Sequence, residues 1–189
     1  MSLVYAHLSL PKRGEIANGD AALVRQDEKG TYLFALIDGL GHGPIAAAAT
    51  AAALDRLGSA SLHLPVLDLM TDLHRALHDT RGAVATLCIV RQRRIEACAV
   101  GNVLLTCTNA SIPLVLSPGV LGHRVPKFRV CNGELKTGAR FALASDGIST
   151  KFRLDEFERM KPSIACEAVI ARHRKQEDDA TILIADLES

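Results

Sequence analysis

The sequence has no closely spaced cysteine pair, no long hydrophobic run and no secretion signal. Its five cysteines are odd in number and form no Cys-x-x-Cys pair, which favours buried, reduced thiols. The longest apolar stretch, residues 45–54, is far shorter than the ~18 residues that span a bilayer. No basic segment followed by an apolar core begins the chain. These absences predict a soluble cytoplasmic protein without a membrane partner.

An excess of charge of one sign is also missing, since the net charge is +1 at pH 7. The basic clusters around residues 91–94 and 172–175 lack interleaved aromatic side chains, so no nucleic-acid partner is predicted. What is present is a globular composition, with 48% hydrophobic and 23% charged residues. A chain of 189 residues fits one domain, and we expect a single domain over residues 1–189.

Hydrophobic patterning predicts a mixed chain in which strands outnumber helices. Apolar runs predict strands at 3–10, 21–26, 31–37, 83–90, 94–100, 103–108, 140–144 and 180–185, with a further strand pair around Asn132-Gly133. Helical spacing predicts helices at 45–57, at 67–78 and within 155–175, where Pro162 starts a new helix. This order does not alternate regularly enough for a doubly wound sheet, so we expect layered antiparallel sheets with helices outside.

Four acidic turns lie at the ends of predicted strands. Asp38-Gly39 and Asp146-Gly147 each end an apolar strand, whereas Asp178-Asp179 and Asn18-Gly19-Asp20 each precede one. Any one of these turns could serve turn geometry alone. Carboxylates from separate strand ends can also converge on one point, where only bound cations make their proximity favourable. The set therefore predicts a cation site.

The ligand types in these turns indicate which cation the site would take. Carboxylate and main-chain carbonyl oxygens, without His or Cys, select hard cations such as Mg²⁺ or Mn²⁺. Two such ions about 4 Å apart, bridged by one aspartate, would lower the pKa of a water molecule so that it attacks phosphorus near neutral pH. The acidic turns thus predict phosphate-ester hydrolysis with two divalent ions as cofactors.

The ordered motifs resemble the metal-dependent serine/threonine protein phosphatases (the PPM family), in their short bacterial SpoIIE-like branch. The resemblance rests on Asp38-Gly39, Ser145-Asp146-Gly147 and Asp178-Asp179-Ala180-Thr181-Ile182, with Asn18-Gly19-Asp20 and Gly101 in the expected order. It implies an α+β fold, a four-layer αββα sandwich in which two antiparallel sheets are flanked by helices. It also implies a dinuclear metal site at one end of this sandwich.

The resemblance implies a role for each acidic position. Asp38 would bridge both metals and, with Asp146, form the catalytic centre. The carbonyl of Gly39 would bind one ion, and Asp146 and Asp178 would complete the metal shells. Asp20 would act through a metal-bound water.

Two positions depart from the family pattern around the metals. Asp179 stands where many relatives carry a supporting Asn, so Asp178 is predicted as the direct ligand. Gly19 stands where many carry Glu or Gln, which weakens one outer contact.

Two further departures concern the substrate. Leu40 replaces a histidine proposed in relatives as the general acid, and His42, two residues further on, could substitute for it. The arginine that binds substrate phosphate in larger relatives has no aligned match, and Arg13 or Lys12 is the candidate here.

The resemblance implies removal of phosphate from phosphoserine or phosphothreonine on STAS-domain regulatory proteins of the stressosome, a stress-response assembly, and we expect a monomer. Two alternatives stay open. A pseudophosphatase would keep the fold and bind partners without turnover, although the retained aspartates argue against it. A small-molecule phosphomonoesterase would use the same site, and the sequence does not separate it from a protein phosphatase.

Overall fold

A computed structural model describes residues 2–188, which form nine strands, three α-helices and one short 3₁₀ helix. The strands are Leu3–Leu10 (β1), Asp20–Gln26 (β2), Tyr32–Gly39 (β3), Ala83–Arg91 (β4), Arg94–Val100 (β5), Leu104–Ser111 (β6), Leu116–Ser117 (β7), Val130–Ala144 (β8) and Ala180–Leu187 (β9). The helices are Gly43–Ser59 (α1), Val66–Ala76 (α2) and Pro162–His173 (α3), and the 3₁₀ helix is Leu154–Phe157. Within residues 2–188, no helix has both the length and the hydropathy needed to cross a bilayer.

The strands form two antiparallel layers that share one long strand. The first layer contains β2, β3, β4 and β5 in that order, and the second contains β1, β9, β8 and β6. Residues 130–134 of β8 pair with β5, whereas residues 140–144 pair with β9. β8 therefore leaves the first layer and enters the second, so that one hydrogen-bonded sheet runs through both layers.

The predicted strand pair around Asn132-Gly133 is wrong, because the chain continues through these residues as part of β8. Asn132 pairs with Glu96 and Gly133 pairs with Ile95. A side chain at Gly133 would lie 2.8 Å from the carbonyl oxygen of Ser111 in β6, so this glycine permits close packing of strands. Pairing of these residues with β5 outweighs the local turn preference of Asn-Gly.

The other elements lie close to their predicted positions. α2 ends at Ala76, two residues before the predicted end at His78. The helical segment predicted at 155–175 is divided into the 3₁₀ helix and α3, and α3 starts at Pro162 as expected. β3 extends to Gly39, so that Asp38 belongs to the strand.

Three hydrophobic cores separate the layers. Helices α1 and α2 cover the outer face of the first strand layer, where the buried residues include Leu33, Leu87, Leu57, Met70 and Leu73. The inner faces of the two strand layers meet in a second core that includes Phe34, Leu36, Cys88, Phe141, Leu143 and Leu183. Helix α3 covers the outer face of the second strand layer over Ala144, Ile182, Ile184, Cys166 and Val169. The predicted αββα arrangement is thus confirmed.

Candidate metal and phosphate site

The alternation of side chains along β3 directs Asp38 into the space between the two strand layers. Leu33 and Ile37 belong to the core under the helices, whereas Phe34 and Leu36 belong to the core between the layers. Successive side chains of a strand point to opposite faces, so Asp38 follows Phe34 and Leu36 toward the second layer. It lies near the end of the strand, at one end of the sandwich.

Asp20 lies directly opposite Asp38, in the neighbouring strand β2. It is only 6% exposed, and its Oδ2 atom has no hydrogen-bond partner among the described residues. Burial raises the pKa of Asp20 to about 7; the hydroxyl groups of Ser145 and Thr181 lower it in part, and the charges of Asp179 and Asp146 raise it further. Two carboxylates that face each other across a strand pair are unfavourable, and a buried oxygen without a partner adds to this cost.

The second strand layer contributes Asp146, which follows the end of β8. Its Oδ2 accepts a hydrogen bond of 2.8 Å from Nδ2 of Asn102, in the turn between β5 and β6. Its carbonyl oxygen accepts a hydrogen bond of 2.5 Å from Nζ of Lys175, whose own N–H donates to the carbonyl of Gly147 at 2.8 Å. Both the side chain and the main chain of Asp146 are therefore fixed in place.

The two aspartates before β9 have different surroundings. Asp178 is half-buried and lines the same pocket as Asp38 and Asp146. Asp179 is buried, and its two carboxylate oxygens accept hydrogen bonds from the N–H groups of Lys12 at 2.7 Å and Gly19 at 2.9 Å. Asp179 thus fastens the β1–β2 loop to the start of β9, which leaves Asp178 as the carboxylate that faces the pocket.

These segments surround an open pocket of about 510 Å³ at the end of the sandwich. The residues that line it are Asp38, Leu40, Gly41, His42, Val84, Gly101, Asn102, Asp146, Glu177 and Asp178. Asp20 and Gly39 are buried next to Asp38 and do not line the pocket. The five predicted metal-site residues therefore lie together at one end of the fold. Asp20, Asp38 and Gly39 belong to the first strand layer, and Asp146 and Asp178 belong to the second.

The carboxylates of the site disfavour one another's charge. Burial raises the pKa of Asp38 to about 8, and Asp20, Asp146 and Asp178 raise it further by charge repulsion. The pKa of Asp178 is also raised, mainly by burial and secondly by the charge of Asp146. A cluster of carboxylates with raised pKa values is a region that lacks positive charge, and this is a common property of functional sites.

The donor atoms of the site fit a hard divalent cation such as Mg²⁺ or Mn²⁺, because all of them are oxygens. The orphaned Oδ2 of Asp20 points to the same conclusion. Within residues 2–188, no three acidic, histidine or cysteine side chains are grouped closely enough to hold an ion by themselves. The carbonyl of Gly39 and water molecules would therefore supplement the carboxylates as ligands, and Mg²⁺ commonly keeps several waters.

Glycines permit the close approach of the segments that form the site. A side chain at Gly39 would lie 2.6 Å from the carbonyl oxygen of Ala46 in α1, and a side chain at Gly147 would overlap the carbonyl of Asp179. A side chain at Gly19 would lie 2.7 Å from Oδ2 of Asp179. The carboxylate of Asp179 thus occupies the space next to Gly19, which explains why no Glu or Gln stands there.

His42 lines the pocket and is held by a carboxylate from the β1–β2 loop. Its Nδ1 lies 3.0 Å from Oε1 of Glu15. His42 is also the residue that precedes the first turn of α1, where Pro44 is among the first helical residues. Because Nδ1 contacts Glu15, the other ring nitrogen, Nε2, is the atom that can reach a substrate.

The predicted phosphate ligands Arg13 and Lys12 lie outside this pocket lining. Arg13 is exposed, and its N–H donates to the carbonyl oxygen of Gln176 at 3.1 Å. Lys12 contributes its N–H to the contact with Asp179. The role of Arg13 in phosphate binding stays a prediction from the sequence.

The sequence did not predict three residues that position the others. Asn102 and Lys175 contact Asp146 from 44 and 29 positions away, and Glu15 contacts His42 from 27 positions away. The only local signal was the turn at Gly101-Asn102, which indicates a change of direction and not a contact.

Comparison with known proteins identifies the family. The family described as Stage II sporulation protein E (SpoIIE) matches residues 28–188. A protein solved in work on the bacterial stressosome, described as a modular system adapted to control secondary messenger signaling, is 31% identical, with 98% of this chain and 100% of that chain covered and a TM-score of 0.90. No curated protein matches the chain.

Two further solved structures share the fold. The chain's size and its Asp-Gly-Leu-Gly-His-Gly segment predict a particular likeness to RsbX. RsbX in complex with magnesium is 23% identical, with 98% of this chain and 96% of that chain covered and a TM-score of 0.86. The catalytic domain of the serine/threonine phosphatase PstP, in complex with two manganese ions, is 19% identical, with all of both chains covered and a TM-score of 0.70. The chain therefore belongs to the SpoIIE family and has the fold of the metal-dependent serine/threonine phosphatases.

Proposed function

We propose that residues 1–189 form one catalytic domain that hydrolyses phosphoserine or phosphothreonine in proteins, with two Mn²⁺ or Mg²⁺ ions. The observation that carries this proposal is the convergence of carboxylates from both strand layers on one pocket. Burial and mutual repulsion raise the pKa of Asp20 to about 7 and that of Asp38 to about 8. A fold has no reason to keep such an unfavourable cluster unless a ligand neutralises it.

Each residue has a place in the proposed site. Asp38 would bridge the two ions, and the carbonyl of Gly39 with Asp146 and Asp178 would complete their shells. Asp20 is buried next to Asp38 and would act through water. Divalent ions bound here would acidify water and stabilise the charge that develops on the phosphate.

The residues of the chain also orient the substrate and its leaving group. Asn102 and Lys175 hold Asp146 from two directions, which fixes the side of the pocket formed by the second layer. We propose that His42, held by Glu15 through Nδ1, protonates the departing serine or threonine alkoxide from Nε2.

Phosphorylated STAS-domain proteins of the stressosome are the proposed substrates. The support is the relative solved in work on the stressosome, at 31% identity, and the likeness to RsbX. The cysteines of the described chain are all free thiols, which suits the reducing cytoplasm. We propose a cytoplasmic monomer in which an open pocket admits a phosphorylated segment of another protein.

A metal-dependence assay tests the proposal. The purified chain should hydrolyse p-nitrophenyl phosphate with Mn²⁺ and lose this activity in EDTA. Asp38→Asn should lower kcat by about 100-fold or more, because removal of one main electrostatic group of an active site has at least this effect. Asp55→Asn is the matched control, since Asp55 is an exposed aspartate of α1 outside the pocket lining, and it should keep wild-type activity.

The remaining outcomes separate the alternatives. Absence of Mn²⁺-dependent turnover on both p-nitrophenyl phosphate and phosphorylated STAS-domain proteins would contradict the enzymatic proposal, and retained binding of those proteins would identify a pseudophosphatase. Turnover of small phosphate esters alone would identify a small-molecule phosphomonoesterase.

A further inference from the structure

The guanidinium group of Arg81 lies against the wall of the pocket. A methyl group at Gly41, which lines the pocket, would stand 3.1 Å from Cζ of Arg81 and 3.2 Å from each of Nη1 and Nη2. These nearly equal distances mean that the flat face of the guanidinium is turned toward Gly41. Gly41 has φ of +87°, so both its backbone and this contact favour glycine. Arg81 is not itself among the lining residues, but its guanidinium lies directly beside Gly41 at the edge of the pocket that contains the aspartates.

The main chain around Arg81 is bonded to the loop that follows β3. The N–H of Leu40 donates to the carbonyl of Gly82 at 3.0 Å, and the N–H of Gly82 donates to Oγ1 of Thr80 at 3.0 Å. The carbonyl oxygen of Arg81 contacts Nε2 of His123 at 2.9 Å. These hydrogen bonds hold the turn at residues 80–82 against the loop after β3. The main chain from which the Arg81 side chain extends is therefore fixed in place.

Arg81 is a cation without an anionic partner beside an acidic pocket. Its residue is exposed, and among residues 2–188 no carboxylate lies within ion-pair distance of its guanidinium. Arg140 differs, because its guanidinium is bound to both carboxylate oxygens of Asp186 and to two main-chain carbonyls. The N–H donors of Arg81 are therefore available to an anion that enters from solvent.

We propose that Arg81 binds the phosphate group of the phosphomonoester substrate. A guanidinium presents planar, paired N–H donors that match phosphate oxygens. A phosphate dianion that enters the pocket is repelled by its four acidic side chains, Asp38, Asp146, Glu177 and Asp178. The positive charge of Arg81 beside the pocket offsets part of this repulsion. This proposal rests on the proposed function, and it assigns to Arg81 the part that the sequence assigned to Arg13.

Inhibition by inorganic phosphate tests the assignment on the Mn²⁺-loaded protein. Arg81→Gln keeps most of the side-chain length without the charge, and Arg81→Lys keeps the charge without the paired donors. We expect Arg81→Gln to raise both KM for p-nitrophenyl phosphate and Ki for inorganic phosphate about tenfold, which is the effect of one charged hydrogen bond. Arg81→Lys should lie between Arg81→Gln and wild type. The dissociation constant for Mn²⁺ should not rise, because removal of a positive charge does not weaken the binding of a cation.

Two matched variants serve as comparisons. Arg94→Gln removes an exposed guanidinium at the β4–β5 turn, at the other end of the strands, and should leave both constants at their wild-type values. Arg13→Gln tests the assignment predicted from the sequence, and we expect it to raise both constants less than Arg81→Gln does. If Arg13→Gln raises KM and Ki while Arg81→Gln does not, the assignment to Arg81 is wrong.

The remaining outcomes separate the proposal from the proposed function. If wild type turns over substrate and Arg81→Gln has the same KM and Ki as wild type, the role of Arg81 is overturned and the phosphatase function stands. A raised dissociation constant for Mn²⁺ in Arg81→Gln would also overturn it, because Arg81 would then support the metal site. If wild type shows no turnover, the proposed function fails, and calorimetric binding of inorganic phosphate to the Mn²⁺-loaded protein decides on Arg81. No weakening of that binding in Arg81→Gln, or no binding to wild type, would overturn the assignment.

Discussion

His42 and Glu15 form a contact that gives a single side chain a defined orientation at the pocket. The 3.0 Å contact uses Nδ1 of His42, and a histidine oriented through one ring nitrogen presents the other in a fixed direction. With Nδ1 held by Glu15, Nε2 is the ring nitrogen that remains free for the proton transfer proposed above. Its position two residues after Leu40 places it at the start of α1, still within the pocket lining.

The kinetics of His42→Ala test this role. A serine alkoxide needs a proton as it leaves, whereas p-nitrophenolate does not, so the variant should lose about 100-fold in kcat on a phosphoserine peptide and far less on p-nitrophenyl phosphate. Glu15→Gln should reduce the same activity by a smaller factor. His78→Ala, in an exposed residue after α2, is the control and should behave as wild type. An equal loss on both substrates would remove His42 from the acid role.

At the scale of elements, the close approach of β3 and α1 depends on Gly39. A side chain there would lie 2.6 Å from the carbonyl oxygen of Ala46 and 3.0 Å from that of Gly19. Because the contacted atoms belong to the main chain, they cannot move aside as a flexible side chain would. The position of the proposed metal-binding carbonyl of Gly39 and the packing of α1 against β3 thus both depend on this glycine.

Two alanine substitutions in neighbouring elements should have opposite effects. Gly39→Ala should lower the free energy of unfolding by about 1–3 kcal/mol through overpacking. Gly58→Ala, within α1 and with no atom within 4 Å of the new methyl group, should raise it by about 0.5–1 kcal/mol. Urea denaturation measures both values. A Gly39→Ala variant as stable as wild type would show that α1 can shift away from β3.

The elements were predictable from the sequence where local patterning decides them. The apolar runs at 31–37 and 180–185 and the proline at 162 each carry their own signal, and the structure places β3, β9 and the start of α3 there. The turn expected at Asn132-Gly133 does not form because these residues pair with β5, and the residues that follow them pair with β6. The contacts between the site residues could likewise not be predicted from local patterning, because Asn102 and Asp146 are 44 positions apart in the sequence.

At the scale of the whole molecule, the acidic cluster affects stability as well as chemistry. The folded-state pKa values of Asp20 and Asp38, about 7 and about 8, lie above the ordinary value of 3.8. The folded protein therefore holds protons that the unfolded chain releases. This contribution to stability is complete below pH 3.8, declines as the pH rises above it, and is lost once the pH passes the folded values.

The chelated protein should thus become less stable as the pH rises from 6 to 8. The expected loss is roughly 3–4 kcal/mol, because the contributions of Asp20 and Asp38 add, and this corresponds to a fall of about 6–16 °C in Tm for a chain of this size. Asp38→Asn should remove most of this dependence, and Asp55→Asn should keep it. Saturating Mn²⁺ should raise Tm more at pH 8 than at pH 6, because cations compete with protons for these oxygens. Scanning calorimetry in EDTA and in Mn²⁺ measures both effects, and a chelated Tm that rises from pH 6 to pH 8 would contradict them.

The passage of β8 from one strand layer to the other has a mechanical consequence. The crossing lies between residue 134, which pairs with the start of β5, and residue 140, which pairs near the end of β9. Asp20 and Asp38 stand at the opposite end of the first layer, and Asp146 and Asp178 stand at the same end of the second. Continuous backbone thus joins the two layers at one end, and repelling carboxylates face one another at the other end. Cations bound between the two pairs of aspartates would remove this repulsion and connect the layers at that end as well.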